Sequence, residues 1–214
     1  MKNHKSHIKK HGWIETNELY TDCDILNFAK LFGCLRENSN GNMIKEIIPK
    51  KKKSGITGTL SNRFGFDVFP FHTDTAFWSK PARYILLNSV NETNCPTLLL
   101  KFEEVWSKLN SSQRKVANSA IYLVKTNNLQ YYTSLIFNQR QRNIKYDPSC
   151  MIPVNNEAKE FKKILTEILN DSQIIEVNWT KGKTIVIDNW KMLHARAKIS
   201  KNNSNRILKR VYIS

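Results

Sequence analysis

Val68-Phe69-Pro70-Phe71-His72-Thr73-Asp74 is an apolar run that ends on an imidazole and a carboxylate. Its composition reads as a buried strand. Alternate residues of a strand share a face, so His72 and Asp74 are expected side by side. Taken alone, His-x-Asp is a weak signal, and a core histidine satisfied by its neighbours is the simpler reading.

The downstream sequence reverses those odds. Thr184-Ile185-Val186-Ile187 is β-branched and reads as a second strand. Asp188-Asn189-Trp190 is a turn-like break, and His194 follows it. The chain has 5 histidines, of which His4, His7 and His11 sit in a basic head. His72 and His194 are therefore the two in the body. Two imidazoles and one carboxylate on rigid strands form a donor set suited to Fe(II) with open coordination positions. His4, His7 and His11 also carry metal-binding nitrogens, but nothing in the sequence orients them.

Composition bounds the alternatives. The hydrophobic fraction is 40%, with 10% aromatic, which supports a sizeable core and argues against disorder. No apolar run approaches the ~20 residues of a membrane span. The basic head has no apolar segment behind it and does not read as a secretory signal. Cys23, Cys34, Cys95 and Cys150 are widely spaced without Cys-x-x-Cys, so reduced thiols in a cytoplasmic protein are expected. With 34 basic and 18 acidic residues the net charge is +16, a field that favours anionic partners. The lysines are scattered apart from Lys50, Lys51, Lys52 and Lys53, which read as a solvated loop. Nucleic acid is therefore not the expected partner. The length suits one domain, 1–214, with residues 1–11 as a disordered basic head.

Along the chain, residues 24–32 read as a helix capped by Asp22 or Asp24 and stopped by Gly33. Residues 43–48 read as a short strand, and residues 57–63 and 65–74 approach His72. Tyr84-Ile85-Leu86-Leu87 and Thr97-Leu98-Leu99-Leu100 read as strands around a turn cluster at 91–96. Helices are expected at 102–109 and at 111–120, the latter capped by Ser111 or Ser112. Pieces of strand follow at 121–124 and 131–137. Ala158, Phe161, Ile164, Leu165, Ile168 and Leu169 recur at helical spacing and mark an amphipathic helix at 157–169. Strands at 174–179 and 207–213 close the pattern. The expected fold is mainly β with flanking helices, a double-stranded β-helix or jelly roll.

Arg206 and Arg210 stand four apart beside Ile207, Leu208, Val211 and Tyr212. In a strand both would face one side, and buried guanidinium groups need anions to pair with.

These residues together resemble the Fe(II)/2-oxoglutarate-dependent dioxygenases of the taurine dioxygenase and clavaminate synthase-like superfamily. Phe69 to Asp74, Thr97, Ile185-Val186-Ile187-Asp188-Asn189, Leu193-His194-Ala195-Arg196, Arg206 and Arg210 carry the resemblance, which runs from about Gly12 to the C-terminus. It implies His72, Asp74 and His194 as iron ligands, with no catalytic side chain beyond them. It implies Thr97 and Arg206 on the distal carboxylate of 2-oxoglutarate. It implies Arg210 on an acidic group of the substrate, with Asn62 and Arg63 as further pocket residues. Fe(II), 2-oxoglutarate and O2 would be the cofactor and cosubstrates, with succinate and CO2 as coproducts. Asp74 favours hydroxylation or desaturation, since halogenating relatives replace that carboxylate. Ala195 stands where the family usually has Gly, and the short chain leaves substrate-covering loops to be missing or supplied by a neighbouring subunit of a homo-oligomer. The expected substrate is a small anionic or amino-acid-like metabolite. The same chemistry on a nucleotide or nucleic acid and a non-catalytic metal- or ligand-binding relative are the alternatives. A zinc hydrolase fits less well, because no general base marks the triad. Asp188 reads as a turn or network residue, and Trp78 and Trp190 as packing aromatics.

Overall fold

Strands buried on both faces dominate the centre of the chain, and their alternation explains the layering. The computed structural model describes residues 2–38, 40–54, 59–200 and 205–214. The elements run α1 (Lys2–His11), β1 (Trp13–Thr16), α2 (Asp22–Lys30), β2 (Leu35–Arg36), β3 (Ile44–Ile47), α3 (Leu60–Phe64), β4 (Phe69–His72), β5 (Tyr84–Ser89) and β6 (Thr93–Lys101). They continue as α4 (Phe102–Lys108), α5 (Ser111–Ser119), β7 (Ile121–Lys125), β8 (Gln130–Ser134), β9 (Ile136–Asn138), β10 (Asn143–Ile144) and β11 (Met151–Pro153). The last are α6 (Asn156–Asn170), β12 (Ile175–Trp179), β13 (Thr184–Asp188), β14 (Met192–Arg196) and β15 (Leu208–Ile213).

Two antiparallel sheets form the body. The larger is ordered β1-β13-β5-β15, with β2 and β3 sharing the far side of β15. The smaller is ordered β12-β6-β14-β4. Ile85 and Leu87 of β5, Ile185 and Ile187 of β13, and Leu208 and Tyr212 of β15 pack with Leu99, Val177, Trp179 and Met192 of the smaller sheet. That cluster lies between the sheets. The intervening residues Leu86, Val186, Val211 and Ile213 point the other way, onto α1 and α2. Leu100 and Leu193 of the smaller sheet likewise face α4, α5 and α6. Period-2 alternation thus gives each central strand two apolar faces, as a strand covered on both sides requires. It also turns Thr97, His194 and Arg210 toward the inter-sheet space. This is the expected mainly β jelly roll with flanking helices.

Several local expectations are corrected. The basic head is helix α1 rather than a frayed segment, and it buries Ile8 to 2% exposure against Ile14, Ile25 and Phe32. Only one apolar residue in ten marks that helix, so its anchor was invisible to periodicity. Thr21, not Asp22 or Asp24, caps α2 through a capping box with Asp24. Asn110, not Ser111 or Ser112, caps α5 in the same way with Gln113. Part of the expected turn at 91–96 belongs to β6. The approach read at 57–63 begins outside the described residues and continues into α3. Among the described residues no helix is long and apolar enough to cross a membrane. All four cysteines are free thiols, Cys95 and Cys150 buried.

Candidate metal centre

His72 and His194 are direct cross-strand partners of β4 and β14. Pairing places their rings on one face, with centroids 4.3 Å apart. Both are buried, at 5% and 7% exposure. β4 is the edge strand of its sheet, which accommodates Pro70 without a lost ladder bond. The Pro70 carbonyl lies 2.8 Å from His72 Nδ1. If that nitrogen carries the proton, Nε2 is left with a lone pair for a metal.

Asp74 reaches the same point by a different route from the one its spacing implies. β4 ends at His72, and Asp74 sits in the turn beyond it. Thr75 follows at φ +56°, a left-handed conformation that is costly for a β-branched residue. The turn is held from outside. The Asp74 amide donates to Asn189 Oδ1 at 2.8 Å, and Asn189 Nδ2 donates to the Asp74 and Ala82 carbonyls at 2.9 Å each. The Thr75 hydroxyl takes the Ala82 amide at 2.9 Å. Thr73 is fully buried, its amide donating to the Tyr146 carbonyl at 2.7 Å and its hydroxyl accepting from the Tyr146 amide at 2.9 Å.

Asp74 Oδ1 lies 3.6 Å from His72 Nε2 and 3.7 Å from His194 Nε2. Its Oδ2 accepts from Arg210 Nη1 at 2.9 Å. One carboxylate oxygen therefore faces the imidazoles, while the other is tied to a cation. Burial alone would raise the Asp74 carboxyl, but Arg210 and the two imidazoles override it and hold it well below the usual carboxylate range. Burial and the neighbouring His72 lower His194, against the pull of Asp74. His72 is raised: burial opposes this, and Asp74 and Asp147 outweigh it. Among the described residues, His72, Asp74 and His194 are the one group of three whose ligand atoms all lie within 4.8 Å of one another. Two imidazole nitrogens and a monodentate carboxylate oxygen on one face suit Fe(II) and leave the opposite side open.

Arg206 precedes β15 rather than lying in it, yet it is 4% exposed. Its Nη2 donates to Thr97 Oγ1 at 3.2 Å and its Nε to the Cys95 carbonyl at 3.3 Å. The indole of Trp179 donates to the same Thr97 hydroxyl at 3.2 Å. No carboxylate pairs with Arg206 among the described residues, and burial pushes its pKa down to about 10. A buried, uncompensated guanidinium is expensive unless an anion joins it. Arg210, expected on substrate, donates to Asp74, with its guanidinium 4.4 Å over the Tyr212 ring and its Nε buried without a partner.

The structure brings together His72, Asp74, His194 and Arg210, with the Thr97 and Arg206 pair on the same inner face. Asn62 and Arg63 lie on α3, lining a cavity of about 430 Å³ with Lys52, Lys53, Thr59 and Ser149. Arg63 Nη1 donates to the Pro148 carbonyl at 2.8 Å, so that cavity adjoins the segment that braces Thr73. Lys52 is not merely solvated, since it pairs with Asp67 at 2.5 Å. Sequence reasoning missed Asn189 as the clamp on Asp74 and Tyr212 as part of the pocket. It also gave no role to Arg196, which donates to the Gly65 and Asp67 carbonyls at 2.6 Å and stacks 3.6 Å from the Phe69 ring. Asp188 is a network residue as expected, paired with Arg83 at 2.8 Å. Trp78 packs on Tyr212, and Trp190 packs on Phe137 and Arg83.

Comparison with known proteins agrees with this geometry. No curated protein sequence matches the chain. Among solved structures, asparagine oxygenase in complex with Fe(II), (2S,3S)-3-hydroxyasparagine and succinate superposes with a TM-score of 0.82 at 14% identity, covering 97% of this chain and 77% of that one. The non-haem iron oxygenase OrfP, in complex with Fe and 2-oxoglutarate (α-ketoglutaric acid), gives 0.78 at 15% identity, covering 100% and 78%. The PvcB protein from Pseudomonas aeruginosa gives 0.75 at 16% identity, covering 98% and 78%. At such identities the likeness speaks for the fold. The family model described as taurine catabolism dioxygenase TauD, TfdA family matches residues 102–212, just over half of the 214-residue chain. That span includes His194, Arg206 and Arg210, while His72, Asp74 and Thr97 precede it and meet them only through the β4, β6 and β14 pairing. The chain belongs to the TauD, TfdA family of dioxygenases.

Proposed function

We propose that this chain is an Fe(II)/2-oxoglutarate-dependent dioxygenase that hydroxylates a small amino-acid-like metabolite. The observation that carries the reading is one inner face holding both a three-donor metal cluster and a buried cation without a carboxylate partner. His72, Asp74 and His194 hold the iron. Arg206 and the Thr97 hydroxyl hold the far carboxylate of 2-oxoglutarate as charge-assisted hydrogen-bond partners. The bound iron, with 2-oxoglutarate and O2, supplies the oxidising power, and 2-oxoglutarate leaves as succinate and CO2.

The chain's own part is orientation and exclusion. Arg210 keeps Asp74 Oδ2 occupied, so that Oδ1 alone faces the metal position. Its remaining donors, including the unpartnered Nε, are available to a substrate carboxylate. The buried aromatic wall of Trp179 and Tyr212 keeps water from the reacting centre. An amino-acid substrate is supported by two structural relatives of the fold, which carry hydroxyasparagine and hydroxyarginine in their complexes.

The test is anaerobic addition of Fe(II) and 2-oxoglutarate to the purified chain, watched for the visible charge-transfer band of the chelate. Succinate release is then screened across free amino acids. A band that His72→Ala abolishes and Arg206→Ala weakens supports the reading. A folded chain that forms no band sinks it. A nucleotide substrate is the second reading, favoured by Lys52, Lys53 and Arg63 around the cavity beside α3. Steep salt dependence of substrate binding would favour it over an amino acid.

A further inference from the structure

The histidines of the basic head, which the sequence leaves without orientation, are oriented by α1. His4, His7 and His11 recur at helical spacing, so they share one face of the helix. Ile8 anchors the adjoining face in the core and fixes that stripe relative to β1. The stripe lines a cavity of about 450 Å³ whose other walls are Trp13, Ile14 and Glu15. His7 and His11 stand one turn apart with ring centroids 4.3 Å from each other, tilted by 33°. His4 is used differently, its ring packing edge-on against Phe28 at 5.6 Å.

The geometry points to a second metal site, separate from the proposed iron centre and independent of that reading. A borderline divalent cation of the Zn2+, Cu2+ or Ni2+ type is chelated by His7 and His11, with water in its remaining positions toward the cavity. Imidazoles one helical turn apart suit these ions, whereas Mg2+ and Ca2+ demand oxygen ligands. Glu15, on the facing wall, is paired with Lys183 at 3.0 Å and acts on the ion through its charge rather than as a ligand. The surrounding charge is unfavourable to any cation, with Lys10 and Lys101 near His11, so the lone pairs must supply the affinity. Burial, His7 and these lysines lower the His11 pKa, a shift in the direction of the neutral ring that a metal requires. Glu15 offsets part of the positive field.

Occupancy would clip the last turn of α1, which leads into Gly12. The Gly12 carbonyl accepts the Asp188 amide at 2.7 Å, and Asp188 precedes the Asn189 clamp on Asp74. The second site therefore braces the strand end that supports the first.

Equilibrium dialysis of the full chain against Zn2+ tests the proposal. Wild type retains one more zinc ion per chain than His7→Ala/His11→Ala, because both chains carry the same iron triad. His4→Ala keeps the wild-type count, and Glu15→Gln binds the extra ion more weakly. In wild type alone, Zn2+ slows amide exchange across α1. Equal zinc counts in wild type and the double variant overturn the proposal. So does unchanged α1 exchange in wild type saturated with zinc.

Discussion

Asn189 grips Asp74 from both sides of its peptide unit, accepting from its amide at 2.8 Å and donating to its carbonyl at 2.9 Å. Asn189 is fully buried and stands at the end of β13, 115 residues away in sequence. A turn that carries a β-branched residue at φ +56° would not hold this shape unaided. Replacing Asn189 by Ala is expected to weaken Fe(II) or Co(II) binding by roughly 10–100-fold, the range for removing a group that orients a ligand. Metal titration of the anaerobic protein reads the effect, and undiminished affinity would show that the turn is self-supporting.

Arg206 is a buried cation without a carboxylate partner among the described residues. Arg206→Ala should raise the Kd for 2-oxoglutarate by about 30-fold or more, corresponding to roughly 2–5 kcal/mol for truncating one member of a buried charge pair. Without cosubstrate the same variant should not melt below wild type, since an uncompensated buried charge has gone. Wild type should gain melting temperature on adding 2-oxoglutarate with metal, and the variant should not. Scanning calorimetry with and without ligand checks both halves.

Lys145 gives the fold a pH-dependent stability. It is 2% exposed, with Nζ near the Ser79 carbonyl at 3.3 Å and the Tyr131 hydroxyl at 3.5 Å. Burial pushes its pKa from the ordinary 10.5 to about 8. Between these values the unfolded chain binds more protons than the folded one, so this group makes stability rise with pH from about 8 to 10.5. Below about 8 both states are protonated and its contribution is flat. Lys145→Met should lack the rise and be more stable at neutral pH, by at most on the order of 3 kcal/mol. Urea melts at several pH values decide it.

Ile8 tests whether α1 is part of the fold. Ile8→Ala should cost about 2–5 kcal/mol, as for other buried Ile truncations. Chemical denaturation measures this, and a loss under half a kilocalorie would make α1 an ornament.

Much of the site was readable because metal donors are scarce and strand pairing is periodic. His72, Asp74 and His194 stood out by residue type. Thr97 and Arg206 came from a resemblance, and the alternation of β6 turns Thr97 inward as strand geometry requires. What escaped depends on long-range contacts. Asp74 lies beyond its strand, and contacts from Asn189 and Arg210, far off in sequence, hold it by the histidines. Arg210 was expected to face substrate, and its contact with the buried Asp74 carboxylate was not foreseen. α1 was expected to fray because a single isoleucine gives no period, and its order comes from a pocket assembled by β1 and α2. Asn62 and Arg63 share a cavity, yet with basic neighbours that local sequence did not bring together.

The Thr97 hydroxyl oxygen accepts hydrogen bonds from both the Trp179 indole and the Arg206 guanidinium. A hydroxyl oxygen has two lone pairs, and both are now engaged. Its own hydrogen is what remains to offer, so the group is polarised in one direction only. Whatever arrives there must be a proton acceptor. The pair thereby works as a chemical rectifier: an acceptor oxygen is matched by the Thr97 hydroxyl and the Arg206 guanidinium, whereas an ammonium or other donor would be set against donors. The direction in which Thr97 can bond is thus set by a tryptophan on β12.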